Sequence, residues 1–150
     1  MKKFSTYLVL ATLGLAAVGC SDDSDDAAPS KTSLLTAKSW RNTDLKVANT
    51  SVYALFVDDC NKDDLLKFNT SKSLTYTGGT VKCDPAEAAT QTGSWDLLTN
   101  ETQLRITDPD GEAMTGTITT LNSTTLVLTA TEDITGTGTP VAVEVTFTAQ

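Results

Sequence analysis

Val141-Ala142-Val143-Glu144-Val145-Thr146-Phe147-Thr148 decides the fold class. Val141, Val143, Val145 and Phe147 share one parity, and Ala142, Glu144, Thr146 and Thr148 the other. A period of two places successive side chains on opposite faces of an extended chain, so this stretch is a strand with one buried face. The same rhythm recurs upstream. Leu126, Leu128 and Ala130 alternate with Val127 and Thr129; Leu104 and Ile106 alternate with Arg105 and Thr107; Trp95 and Leu97 alternate with Ser94, Asp96 and Leu98. Leu66 and Phe68 face Leu74 and Tyr76 across Asn69-Thr70-Ser71-Lys72, the loop of a hairpin.

Turn chemistry separates the runs. Asp108-Pro109-Asp110-Gly111 is a strong turn, since proline presets φ and glycine accepts positive φ. Leu121-Asn122-Ser123-Thr124 and Asn100-Glu101 are weaker turns, and Gly136-Thr137-Gly138-Thr139-Pro140 is a loop leading into the last strand. These signals predict strands at 39–47, 64–69, 73–78, 92–98, 102–107, 112–120, 124–131 and 141–149. Trp40 lies on one parity and Leu45 with Val47 on the other, which predicts a bulge near Asn42–Asp44. Thr32–Lys38 permits a short helical turn, and no longer helical pattern follows, so a parallel sheet with crossover helices is excluded. The class is all-β, an antiparallel up-and-down meander of about eight strands. Two architectures fit it: a small barrel, or a β-sandwich.

The first 19 residues read differently. Lys2 and Lys3, the apolar run Tyr7–Val18 and the small residues Ala17-Val18-Gly19 form a secretory signal in outline. At 12 residues the run is too short to span a bilayer, which takes about 20. With Cys20 at its end it resembles the bacterial lipoprotein signal, which implies acylation of Cys20 and anchoring through lipid; an ordinary signal peptide is the alternative. Ser21, Asp22, Asp23, Asp25 and Asp26 follow immediately. Their composition suits a solvated tether. They also resemble the acidic signal that, in one large phylum of Gram-negative bacteria, sends lipoproteins to the cell surface. The expected organisation is therefore signal peptide 1–19, tether 20–31 and one β domain over 32–150, in an outer-membrane lipoprotein exposed at the cell surface.

Charge excludes one partner class. The chain of 150 residues carries −8, and loss of Lys2 and Lys3 leaves 9 basic against 19 acidic residues, or −10. Such a chain is repelled by nucleic-acid phosphates. In an oxidising compartment Cys60 and Cys83 form an even pair and read as a structural disulfide, for which loop closure predicts about 3.5 kcal/mol. Two free thiols or a metal pair are the alternatives.

Catalytic chemistry is thinly represented. There is no histidine and no nucleophile-elbow motif, so no enzyme activity, cofactor or resident metal is expected. Asp58-Asp59-Cys60-Asn61-Lys62-Asp63-Asp64 is the densest acidic cluster, but its spacing is not that of a calcium loop and Lys62 sits inside it. Trp40, Tyr53, Phe68, Tyr76, Trp95 and Phe147 are candidates for a ligand pocket or for a filled core. Gly78, Gly93 and Gly116 would leave interior space if they point inward.

Leu34-Leu35-Thr36-Ala37-Lys38-Ser39-Trp40, the Asp58–Asp64 cluster with Leu66-Lys67-Phe68-Asn69, Lys82-Cys83-Asp84-Pro85, and Thr92-Gly93-Ser94-Trp95 together resemble the lipocalin-like domain of small bacterial lipoproteins of the Bacteroidetes type. Leu104-Arg105-Ile106-Thr107 and Thr124-Thr125-Leu126-Val127-Leu128 continue the likeness. The resemblance implies a lipocalin-like barrel and a small apolar or amphipathic ligand. The competing function is a structural or interaction module with a filled barrel that meets another envelope component.

Overall fold

The computed structural model describes residues 28–150. The signal sequence, Cys20 and the acidic run Ser21–Asp26 lie outside the described residues. In chain order the elements are α1 (Lys31–Ala37), β1 (Ser39–Val47), β2 (Thr50–Ser51), α2 (Tyr53–Phe56), a 3-10 turn (Asp59–Asn61), β3 (Leu65–Phe68), β4 (Ser73–Thr77), β5 (Thr90–Leu98), β6 (Gln103–Thr107), β7 (Ala113–Leu121), β8 (Thr125–Glu132) and β9 (Val141–Ala149). Every strand expected from alternation is present within two residues at each end.

The strands run antiparallel in the order β1-β3-β4-β5-β6-β7-β8-β9, and β1 pairs back onto β9. That last pairing, Trp40↔Ala149 through Val47↔Val143, closes an eight-stranded barrel and removes the sandwich. Closure leaves the main ring without free edges. The β1–β9 register shifts between Asn42 and Asp44, at the bulge that the parity change required. The extra residue turns Trp40 and Leu45 to the same interior, where they are 0% and 9% exposed.

Three small elements went unforeseen. β2 is two residues long and folds back on β1 through Ala48 and Asn49, both at positive φ. α2 has four residues and the 3-10 turn three, lengths too short for any periodicity to show. They fill a wedge in the wall, because β1 and β3 share only the pairs Ser39↔Lys67 and Trp40↔Leu66 before they part. Tyr53 spans this wedge, its hydroxyl donating to the Asn42 carbonyl at 2.8 Å. The Cys60–Cys83 disulfide then ties the 3-10 turn to the β4–β5 loop with Cα atoms 5.2 Å apart, an ordinary separation.

One end of the barrel is capped. α1 begins where the Ser30 hydroxyl accepts from the Ser33 amide, one residue earlier than the expected Thr32 start. Leu35 is fully buried beneath it. The Trp40 indole Nε1 donates to the Leu35 carbonyl at 2.9 Å, and Lys67 Nζ donates to the Thr36 carbonyl at 2.8 Å, so two of the orphan carbonyls of this short helix are satisfied by the barrel. Below the cap the core packs Trp40, Phe68, Leu74, Trp95, Leu104, Leu126 and Leu128, all at most 2% exposed.

Candidate ligand cavity

The opposite end carries the β6–β7 turn, the β4–β5 and β8–β9 loops, and the β2–β3 connection with α2 and the 3-10 turn. There a cavity of about 300 Å³ opens between the strands, at the lower end of the range for ligand pockets, roughly 300–1,000 Å³. Leu66, Tyr76, Ile106, Met114 and Phe147 form its apolar wall. Asp108, Glu112 and Glu132 stand around its rim. A smaller cleft of about 90 Å³ adjoins it, sharing Tyr76 and lined also by Asp64 and Glu87.

Strand parity explains both layers. On β8, Leu126 and Leu128 point into the core, so Ala130 and then Glu132 follow on the same inward face. On β6 the inward series Leu104, Ile106 runs on to Asp108, just past the strand end. On β7 it runs Gly116, Met114 and then Glu112. Three consecutive strands therefore change from apolar to carboxylate at the last inward position.

The aromatic candidates divide between the packed core and the wall of the cavity. Trp40, Phe68 and Trp95 lie in the core on the capped side. The Phe68 and Trp95 rings meet edge to face, with centroids 5.5 Å apart and planes at 87°. Trp95 donates through Nε1 to the Asn69 carbonyl at 3.0 Å, and Lys72 Nζ sits 4.0 Å over its ring. Tyr76 and Phe147 line the cavity. Burial, and then the Asp108 carboxylate beside it, push the Tyr76 phenol up to about 12.

Gly93 and Gly116 do not open the interior as expected. A side chain at Gly93 would run into the Thr107 carbonyl, and one at Gly116 would meet Leu128 Cβ at 3.0 Å. Their missing side chains let neighbouring strands approach closely instead of leaving a void. A β-carbon at Gly78 would meet only the Ala89 carbonyl, at 3.8 Å. The cavity lies where the inward series of β6, β7 and β8 pass from apolar residues to Asp108, Glu112 and Glu132, a change that parity counting carried one residue further would have found.

The Asp58–Asp64 cluster is engaged in holding loops. Asp59 pairs with Lys62 at 2.5 Å, Asp64 accepts from the Gly79 amide at 2.8 Å, and Asp63 accepts from the amide and hydroxyl of Thr80, both at 2.8 Å. The Thr80 donors hold the Asp63 carboxyl below its ordinary range. Among the described residues no group of three or more His, Cys, Asp or Glu is arranged to hold a metal ion.

The family model of the lipocalin-like domain matches residues 36–128, from the end of α1 through the inward leucines of β8. No curated protein matches the chain. The matched span contains Trp40, Phe68 and Trp95, the disulfide, six whole barrel strands and the first half of β8, and on that match the chain belongs to the lipocalin-like domain family.

Proposed function

We propose that this domain binds a small apolar or amphipathic molecule in the open end of its barrel, and that it does so as a lipid-anchored envelope protein. The observation that carries the binding reading is the uneven filling of the interior. The capped half is packed by Trp40, Phe68 and Trp95, whereas the open half keeps about 300 Å³ walled by Leu66, Ile106, Met114 and Phe147. Removing an apolar ligand surface from water into such a site contributes about 25 cal/mol per Å². No catalytic role is assigned to the chain, which has no histidine.

The anchor and the surface location rest on the sequence. Cys20 behind a short apolar run supports acylation, and two acyl chains suffice for stable anchoring. Asp22, Asp23, Asp25 and Asp26 support delivery to the cell surface.

A second reading is favoured by the exposed Leu55, Phe56 and Val81, which are 80%, 44% and 54% accessible. These would serve contact with another envelope component, with the cavity incidental. Titration with an apolar fluorescent dye, together with native mass spectrometry of protein from its own cells, separates the two. Saturable dye binding that Met114→Trp abolishes by filling the cavity supports the pocket. Absence of saturable binding and of any copurified molecule leaves the interaction module.

A further inference from the structure

The rim of the cavity identifies the kind of molecule it takes. We infer that the ligand is a cationic amphiphile, an alkyl or aryl chain ending in an amine or quaternary ammonium group. The chain would enter between Met114 and Phe147, and the cation would rest among Asp108, Glu112 and Glu132. This rests on the reading that the cavity binds a ligand at all, and it specifies the head group.

Three observations support it. Asp108, just past β6, Glu112, just before β7, and Glu132, the last residue of β8, continue the inward parity of those strands beyond the apolar layer, and all three line the mouth of the cavity. The cavity and the adjoining cleft are lined by five carboxylates, those of Asp64, Glu87, Asp108, Glu112 and Glu132, and by no Lys or Arg. Among the described residues Glu112 and Glu132 make no side-chain hydrogen bond and no salt bridge. Like charges gathered at the mouth of an apolar cavity disfavour one another, and each loses solvation as the mouth is covered. A cationic head group relieves both effects, whereas a fatty-acid carboxylate would add a further negative charge. The volume suits a chain of about ten carbons, taking each as about the size of a water molecule in the liquid, roughly 30 Å³.

Three probes of equal chain length test the assignment: decyltrimethylammonium, decyl maltoside and decyl sulfate. Each is titrated calorimetrically against the folded domain below its micelle-forming concentration. The cation should bind about tenfold more tightly than the neutral maltoside at low salt, and the gap should narrow as salt is added. The sulfate should bind most weakly. Glu112→Gln with Glu132→Gln should weaken the cation by about threefold per carboxylate and leave the maltoside unchanged. Equal affinity for cation and maltoside, tighter sulfate, or equal losses for cation and maltoside in the double variant would overturn the head-group assignment while leaving the pocket intact. If none of the three binds, the pocket itself is wrong and the inference falls with it.

Discussion

Trp40 and Leu35 are joined across the capped end of the barrel by an indole N–H donating to a helix carbonyl at 2.9 Å, both residues fully buried. The bond couples the position of α1 to the first strand. Trp40→Phe keeps most of the apolar contact and strands the Leu35 carbonyl, so unfolding in urea should show a loss of about 1–3 kcal/mol. Trp40→Ala should cost about 3–5 kcal/mol through the cavity it leaves. An unchanged urea midpoint for Trp40→Phe would mean that the helix is held by packing alone.

Gly93 sits where the backbone of Thr107 and Asp108 presses against the missing side chain. Gly93→Ala must push a strand aside and should destabilise by about 1–3 kcal/mol, with tryptophan fluorescence reporting the disturbance at Trp95 two residues on. Gly136→Ala adds a β-carbon in open space at a backbone φ of +67°, so its cost comes from conformation and should leave that fluorescence unchanged.

The disulfide spans 23 positions and fastens the wedge elements to the β4–β5 loop. Replacing Cys60 and Cys83 together by Ala should lower stability by about 2–4 kcal/mol, the mechanism being model-dependent. Non-reducing digests should yield one peptide pair joining the two regions, and two free thiols in protein taken from the envelope would contradict the bridge.

Two ionisable groups give opposite pH limbs. Asp63 is held below its unfolded value, about 3.9, by the donors of Thr80, so its contribution is present above that value and lost as pH falls through the folded one. Asp63→Asn should therefore lower the thermal midpoint at neutral pH and converge with wild type in strong acid. Tyr76 is raised to about 12 against about 10 unfolded, so its contribution is present below pH 10 or so and lost as pH climbs toward 12. Absorbance titration of the phenolates should show a late-titrating tyrosine that Tyr76→Phe removes.

Acylation at Cys20 predicts that a Cys20→Ala precursor takes up no fatty acid and leaves the membrane fraction. Surface display predicts that protease added to intact cells digests the wild-type protein. Substituting Asp22, Asp23, Asp25 and Asp26 by Ala should protect it; unchanged digestion would reduce the acidic run to a tether.

Much of the barrel wall was legible residue by residue. Alternation in Val141–Thr148 and Leu126–Ala130 marked buried faces, because a pleated strand sorts side chains by parity however it is later paired. The bulge was equally local, since Trp40 and Leu45 can share an interior only if a residue is inserted between them. Closure was not legible. It depends on β1 meeting β9, residues about a hundred positions apart, and the same faces would have served a sandwich. The candidate site divided in the same way. The aromatics were visible as apolar inward residues, but which of them fill the core and which line a cavity was decided by where α1 caps the barrel and by the wedge at β1 and β3. Three carboxylates scattered from Asp108 to Glu132 became one rim only when neighbouring strands brought their last inward positions to the same end, a relation set by pairing register and absent from any single strand.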